Sequence, residues 1–426
     1  MPSPPPSEYL QDLIERARPF LRGELASIDK DLPSLVAVLQ SAGAGECWHK
    51  HGSFLQHLLD IHRILHLWKA PRSVSLCGLF HSAYSNSYVN LAIFDPSTSR
   101  DIVRRHVGHQ AERLVHLFCV VPRQQLIHDD LLFHYSDPEL LQHLHQSEKS
   151  LTVALDEDED ESSDWRKKLQ ALLPAEGIHV KHIRTGEDVC LSRRVVAVFL
   201  MMTMADFCDQ LFGFQDILFD NVNGRLEFSG NNFGALWPGD GKPGLWLNSI
   251  SRMGALYNLI VREEEIFMEE RKKREGFGHD YHDHERDEEI ELVIPPVFDN
   301  CKKVLDAGDQ IVARDLYWEA VCDVKKNPFE ELGRVEELLL ASIEKNPFVG
   351  EPYVVLSQVY LVSGRFEEAE REAERGLRLL LEWGCPWDKR TSWEGWVAWT
   401  RVLLMKAREK SWPQTSWGIL NLGLVK

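Results

Sequence analysis

The chain has 426 residues, 44% of them hydrophobic and 27% charged, with a formal net charge of −18. That length predicts two or three domains with sizeable cores, and the acidity argues against non-specific binding to nucleic acid or to an anionic membrane surface. Eight cysteines with no Cys-x-x-Cys pair fit reduced thiols better than a disulfide framework.

Along the chain, helical signals dominate. Met1 to Pro6 is rich in Pro and Ser, then turns amphipathic with Glu8, Asp12 and Glu15, which is unlike a transit or signal peptide. Phe54, Leu58, Ile61, Ile64 and Leu65 repeat at helical spacing. Pro71 breaks the chain before an apolar stretch from Val74 to Phe80. One helix is expected from about Arg100 to Val121, ended by Pro122, and another over Leu131 to Gln146. Asp156 to Asp164 is an acidic run that reads as a solvated loop. Ser192 has the place of an N-cap for the helix that carries Asp206. The longest strongly apolar run, Val195 to Ala205, is too short to span a bilayer. No membrane partner is therefore expected, and a cytoplasmic or nuclear location is. Gly213 to Gly244 is loop-rich, with a short hairpin suggested at Asn223-Gly224. Helix returns from Leu247 to Glu275. His279, His282 and His284 then sit among acids, which reads as a solvated linker with metal binding as the alternative.

Beyond Pro295 the chain consists of helical segments punctuated by proline: Val297–Leu305, Asp309–Lys326, Leu332–Lys345, Pro352–Ser363, Phe366–Glu382 and Ser392–Arg408. Lys-Asn-Pro-Phe occurs at 326–329 and again at 345–348, the mark of helical hairpins that stack. Leu356, Ser357, Tyr360, Gly364, Phe366, Ala369 and Ala373 combine a large-small pair, an aromatic, a turn glycine and small residues that let two helices approach. This pattern resembles the tetratricopeptide family, and the resemblance implies a protein or peptide partner for residues 295–426. The tryptophans from Trp383 to Trp417 are expected to pack the last helices together.

Three polar residues stand on faces that otherwise read as core. His57 shares its face with Ile61, Ile64 and Leu65; His81 follows Leu79-Phe80; Asp206 follows Val195, Phe199 and Met202 at helical spacing. Each histidine alone fits a satisfied core residue. The aspartate does not, because a buried carboxylate costs several kcal/mol (~3–5) unless it is paired or bound to metal. Arg193 and Arg194 fall on other faces of that helix, so the two imidazoles are its expected partners, directly or through an ion. Two imidazoles and a carboxylate suit Mn2+, Fe2+ or Zn2+ better than Mg2+.

His57, then His81 twenty-four positions on, then Asp206 in Met204-Ala205-Asp206, resembles the HD superfamily of metal-dependent phosphohydrolases over about residues 45–215. The flanks agree: Phe54-Leu55-Gln56-His57-Leu58-Leu59 and Cys77-Gly78-Leu79-Phe80-His81. The closest branch is the guanosine tetraphosphate hydrolase type. Within the superfamily the chain is most similar to an HD-like group without an assigned reaction, whose second motif reads Gly-Leu-Phe-His-Ser, as at 78–82. The resemblance implies His57, His81 and Asp206 as metal ligands, and His49, Lys50 and His51 as residues that hold a phosphorylated substrate; an ordinary polar loop is the other reading of those three. The chain departs from the pattern at Ser82, where the superfamily has an aspartate, and at Ser85-Asn86, where the hydrolase branch has an acidic pair. No general base is evident; His51 and Tyr84 are substitutes.

The expected architecture is all-α: a helical lead-in over 1–44, an HD-like domain over 45–215 that includes the acidic loop 156–164, a loop-rich middle with a long helix over 216–294, and tetratricopeptide-like hairpins over 295–426. Two functions follow. One is a metal-dependent phosphohydrolase acting on a nucleotide or a phosphorylated small molecule. The other is a catalytically inactive HD-like scaffold, a pseudoenzyme whose repeats bind a protein.

Overall fold

Ser53 starts the helix that carries the first histidine. Its extended backbone and its Oγ, which accepts from Gln56 N, cap α4 (Phe54–Leu67). This and the other local features belong to a computed structural model that describes residues 6–49, 52–85, 92–95, 99–152, 164–210, 212–220, 227–228, 241–275, 286–298, 304–323, 332–420 and 422. Lys50, His51, Asn86, most of the acidic loop, Asn223-Gly224, His279, His282, His284 and the first Lys-Asn-Pro-Phe lie outside the described residues.

The protein is all-α. The helices preceding α4 are α1 (Pro6–Leu21), α2 (Leu25–Ile28) and α3 (Leu32–Ser41). After it come α5 (Arg72–Phe80), α6 (Arg100–Val107), α7 (His109–Val120), α8 (Asp137–Thr152), α9 (Asp164–Leu172), α10 (Arg193–Gln210) and α11 (Gly213–Leu218). The rest are α12 (Leu247–Glu275), α13 (Ala307–Asp323), α14 (Leu332–Lys345), α15 (Glu351–Val362), α16 (Phe366–Trp383), α17 (Trp393–Arg408) and α18 (Ser416–Leu420). Strands among the described residues form three antiparallel pairs: Trp48–His49 with Gly52–Ser53, Ile178–Lys181 with Asp188–Leu191, and Phe219–Asp220 with Glu227–Phe228. No described helix is long and apolar enough to cross a membrane.

The single helix expected from Arg100 to Val121 is two. Gly108 between them has φ +85°, which an L side chain rarely adopts, so the chain turns there. The helix expected over Leu131 to Gln146 starts later, at Asp137, with Pro138 in its first turn, where the missing N–H costs nothing; it runs on to Thr152. A 3-10 turn occupies Leu132–His134 instead. In the expected segment Val297–Leu305, Val297 and Phe298 end a 3-10 turn, the described residues 304 and 305 carry no helix, and α13 begins at Ala307.

Two compact units are assembled from discontinuous segments. One comprises 29–210 with 249–304, the other 1–28, 211–248 and 305–426. The lead-in 1–44 and the middle segment 216–294 are thus each divided between the units.

In the 29–210 unit, α10 is central. Sixteen of its side chains are buried, on every face, which is how a helix with little amphipathic pattern is stabilised. It packs on α4 and α5, and α5 packs in turn on α4 and α7. Ser192 is its N-cap: Oγ accepts from Val195 N at 3.2 Å. At the same end, Arg193 and Arg194 pair with Glu264 of α12, on faces away from Asp206. Gly78 lets α4 and α5 meet closely; a Cβ there would strike Leu65 Cδ1 and lie 3.1 Å from Ile61 Cγ2.

In the other unit, α13 to α17 pack each on the next, as hairpins in series, and α1 lies on α16. Ser357 Oγ donates to Ala369 O at 2.8 Å across the α15–α16 pair, where Leu356, Ala369 and Ala373 are buried. Gly364 turns the chain between these helices at φ +71°. Trp383, Trp393 and Trp396 are buried and donate their indole N–H groups to Phe348, Leu380 and Asp388 carbonyls. Trp417 departs from the expectation for this tryptophan group. It is 77% exposed, on a helix of only five residues that is too short to bury it.

Candidate metal centre

Helices α4, α5 and α10 bring His57, His81 and Asp206 together. His57 Nε2 lies 3.3 Å from His81 Nε2 and 3.4 Å from Asp206 Oδ1, and His81 Nε2 lies 4.0 Å from the same oxygen. His57 and His81 are each 2% exposed and Asp206 8%. A point equidistant from the three donor atoms lies ~2.1 Å from each, the length of a zinc–nitrogen bond. The cluster can hold a metal ion.

The second nitrogen of each ring fixes which face it presents. His81 Nδ1 donates to Gly78 O at 2.8 Å; a carbonyl only accepts, so the proton must be on Nδ1 and Nε2 carries a lone pair. His57 Nδ1 donates to Asp209 Oδ2 at 2.7 Å. Metal-binding histidines are held in this way, by a carboxylate or carbonyl behind the ring. Gln210 completes the group: its amide hydrogen-bonds Asp206 Oδ1, and its nitrogen lies 3.3 Å from His57 Nε2.

The electrostatics call for one positive charge at the centre. Burial works to lower the pKa of His57, but hydrogen bonds to Asp206 and Asp209 overturn it and raise the value to about 9. At His81 burial wins, and the value falls to about 4. Burial works to raise Asp206, yet His57 and His81 hold it below the usual carboxylate range. With no ion, a proton on His57 meets that need. Arg123, buried and stacked 3.7 Å over the Phe118 ring, adds positive potential that favours ionised Asp206.

Of the residues expected to hold a substrate, His49 stands beside the centre, its ring 4.6 Å from that of His57. Ser82, where the superfamily has an acid, is buried. Tyr84 is not a spare base. Its hydroxyl donates to Glu112 Oε1 at 3.0 Å, Arg100 and Arg104 bind the same carboxylate, and burial with the adjacent negative charge pushes its pKa up.

Sequence reasoning missed Asp209, Gln210 and the Gly78 carbonyl. Asp209 and Gln210 stand three and four positions after Asp206 on one helix, and that spacing, which puts side chains on one face, was the available signal. A backbone carbonyl leaves none. A family model described as a domain of unknown function, DUF6817, matches residues 38–123, a stretch that contains His57 and His81 and ends before Asp206. No curated protein and no solved structure matches the chain.

Proposed function

We propose that the 29–210 unit is an HD-like, metal-dependent phosphohydrolase acting on a nucleotide or a phosphorylated small molecule. The observation that carries this reading is the convergence of two imidazole Nε2 atoms and one carboxylate oxygen, with both Nδ1 atoms already committed behind them. Mn2+, Fe2+ or Zn2+ suits that donor set better than Mg2+. A bound divalent ion would polarise a phosphoryl oxygen and lower the pKa of water. The chain's own residues do the rest. Asp209 and the Gly78 carbonyl orient the rings, Asp206 supplies the anionic donor, and Arg123 and His49 make the surroundings favourable to a phosphate.

A second reading, a catalytically inactive HD-like scaffold, is favoured by what the acids and the phenol are doing. Asp209 is spent on His57 and Tyr84 on Glu112, so neither is available as a base. On this reading the tetratricopeptide-like hairpins of 305–426 recruit a protein or peptide, along the surface that stacked helix pairs present.

Metal analysis and turnover separate the two. The purified chain is expected to carry stoichiometric Mn, Fe or Zn that is lost in His81→Ala and in Asp206→Ala, and to hydrolyse at least one member of a panel of phosphate esters and guanosine polyphosphates. Metal binding without turnover on any of them selects the scaffold. A wild-type chain that stays metal-free after reconstitution removes the metal centre altogether.

A further inference from the structure

Three protein donors leave a small ion short of the four it takes in a tetrahedral site. Gln210 is the last residue of α10, one turn beyond Asp206 and on the same face. Its amide nitrogen is 3.3 Å from His57 Nε2. His57 Nε2 therefore stands 3.3, 3.4 and 3.3 Å from the polar ends of His81, Asp206 and Gln210. Bonds of ~2.0–2.1 Å to a tetrahedral ion place its donors ~3.3–3.4 Å apart, which the three spacings from His57 match; His81 Nε2 to Asp206 Oδ1 is wider at 4.0 Å, and the Gln210 amide, now hydrogen-bonded to Asp206 Oδ1, must swing away from it to take a vertex of its own.

The amide's two ends are nearly equal in shape, and the network around them decides which one faces inward. Against Asp206 alone, the N–H end must face the carboxylate, as it does. Against a divalent ion the carbonyl end must. Gln210 is partly exposed, which leaves room for the amide to turn over.

We propose that Gln210 is the fourth protein ligand of the ion, through Oε1, and that loading turns its amide over. This rests on the metal-centre reading above. The set is then two imidazoles, one carboxylate and one neutral amide oxygen. The neutral oxygen is the weakest of the four donors, so that position is the exchangeable one.

The test is titration of the metal-stripped full chain with cobalt(II), read by visible absorption and by competition with a chelator. Wild type is expected to give the intense bands of a four-coordinate ion. Gln210→Leu should weaken cobalt binding by about tenfold or more and change the bands; Gln210→Glu, which keeps an oxygen at the same reach, should restore affinity. Thermal melts establish that each variant is folded, and Gln210→Ser takes the place of the Leu variant if that one melts early. A folded Leu or Ser variant with wild-type affinity and spectrum overturns the ligand assignment and leaves the centre standing. Failure of Glu to restore binding also overturns it, because the loss is then structural. A wild-type chain that binds no cobalt removes the metal-centre reading itself, and this assignment with it.

Discussion

Each unit buries acids, and the two burials differ in kind. In the unit containing 305–426, Asp388 is fully buried but accepts from Tyr317 Oη at 2.7 Å and from Arg390 Nε at 2.9 Å. Beside it, buried Glu351 accepts the backbone N–H groups of Trp387 and Asp388 at 2.6 and 3.1 Å. Donors there match acceptors. In the 29–210 unit, Asp206 accepts from the Gln210 amide and otherwise faces two imidazoles whose inward nitrogens are acceptors unless a proton is added. Burial of charge alone is therefore no mark of a functional site. A cluster in which acceptors face one another is more informative, because a proton or another cation can close it.

That contrast breaks most clearly at Asp388. Asp388→Ala strands a buried tyrosine hydroxyl and the Arg390 charge, and should cost about 3–5 kcal/mol in urea unfolding without changing metal content. If metal is lost instead, the two clusters are not separate in role. Next in size is a pH effect confined to the closed cluster. Burial and the neighbouring Asp388 raise Glu351 from 4.5 to about 7, so the folded chain keeps a proton that the unfolded chain gives up. The stability of this unit should be full below the unfolded pKa and fall as pH rises toward the folded one, by ~3 kcal/mol at most. Glu351→Gln, which still accepts from both N–H groups, should flatten that slope; an unchanged slope assigns it to other groups.

On the open cluster, Asp209→Asn should weaken metal binding by about 10- to 100-fold while the fold persists, since it removes the charge behind His57 and leaves the ligands in place. Chelator competition reads this directly, and equal affinity in the variant would make Asp209 a packing residue. Smallest is Gly78→Ala. A Cβ against Leu65 and Ile61 should separate α4 from α5 at a cost of about 1–3 kcal/mol. Because the same residue's carbonyl holds His81, metal affinity should fall in parallel.

Much of this was legible beforehand, for reasons that differ by region. From Leu332 to Arg408 the helix limits follow proline, glycine and caps, and they fall within a residue or two of the expected ones. The break at Gly108 was not legible, since a lone glycine inside a helical pattern is also tolerated without a turn. The three candidate ligands announced themselves as polar residues on apolar faces. Asp209 and Gln210 did not, because polar residues at the end of a helix are ordinary. The discontinuous units were hidden because hydrophobic pattern is a local property, whereas the docking of α1 on α16 is decided by a partner far along the chain. Tyr9 to Glu382, 3.0 Å apart, is one such long-range contact.

The missing side chain at Gly78 has a last consequence. Because two rigid rods touch there, the gap between the imidazoles is a ruler cut by backbone, which long flexible arms could not be. Calcium, which needs six to eight oxygens at about 2.3–2.6 Å, would be a poor match for two imidazole nitrogens and one carboxylate at that spacing.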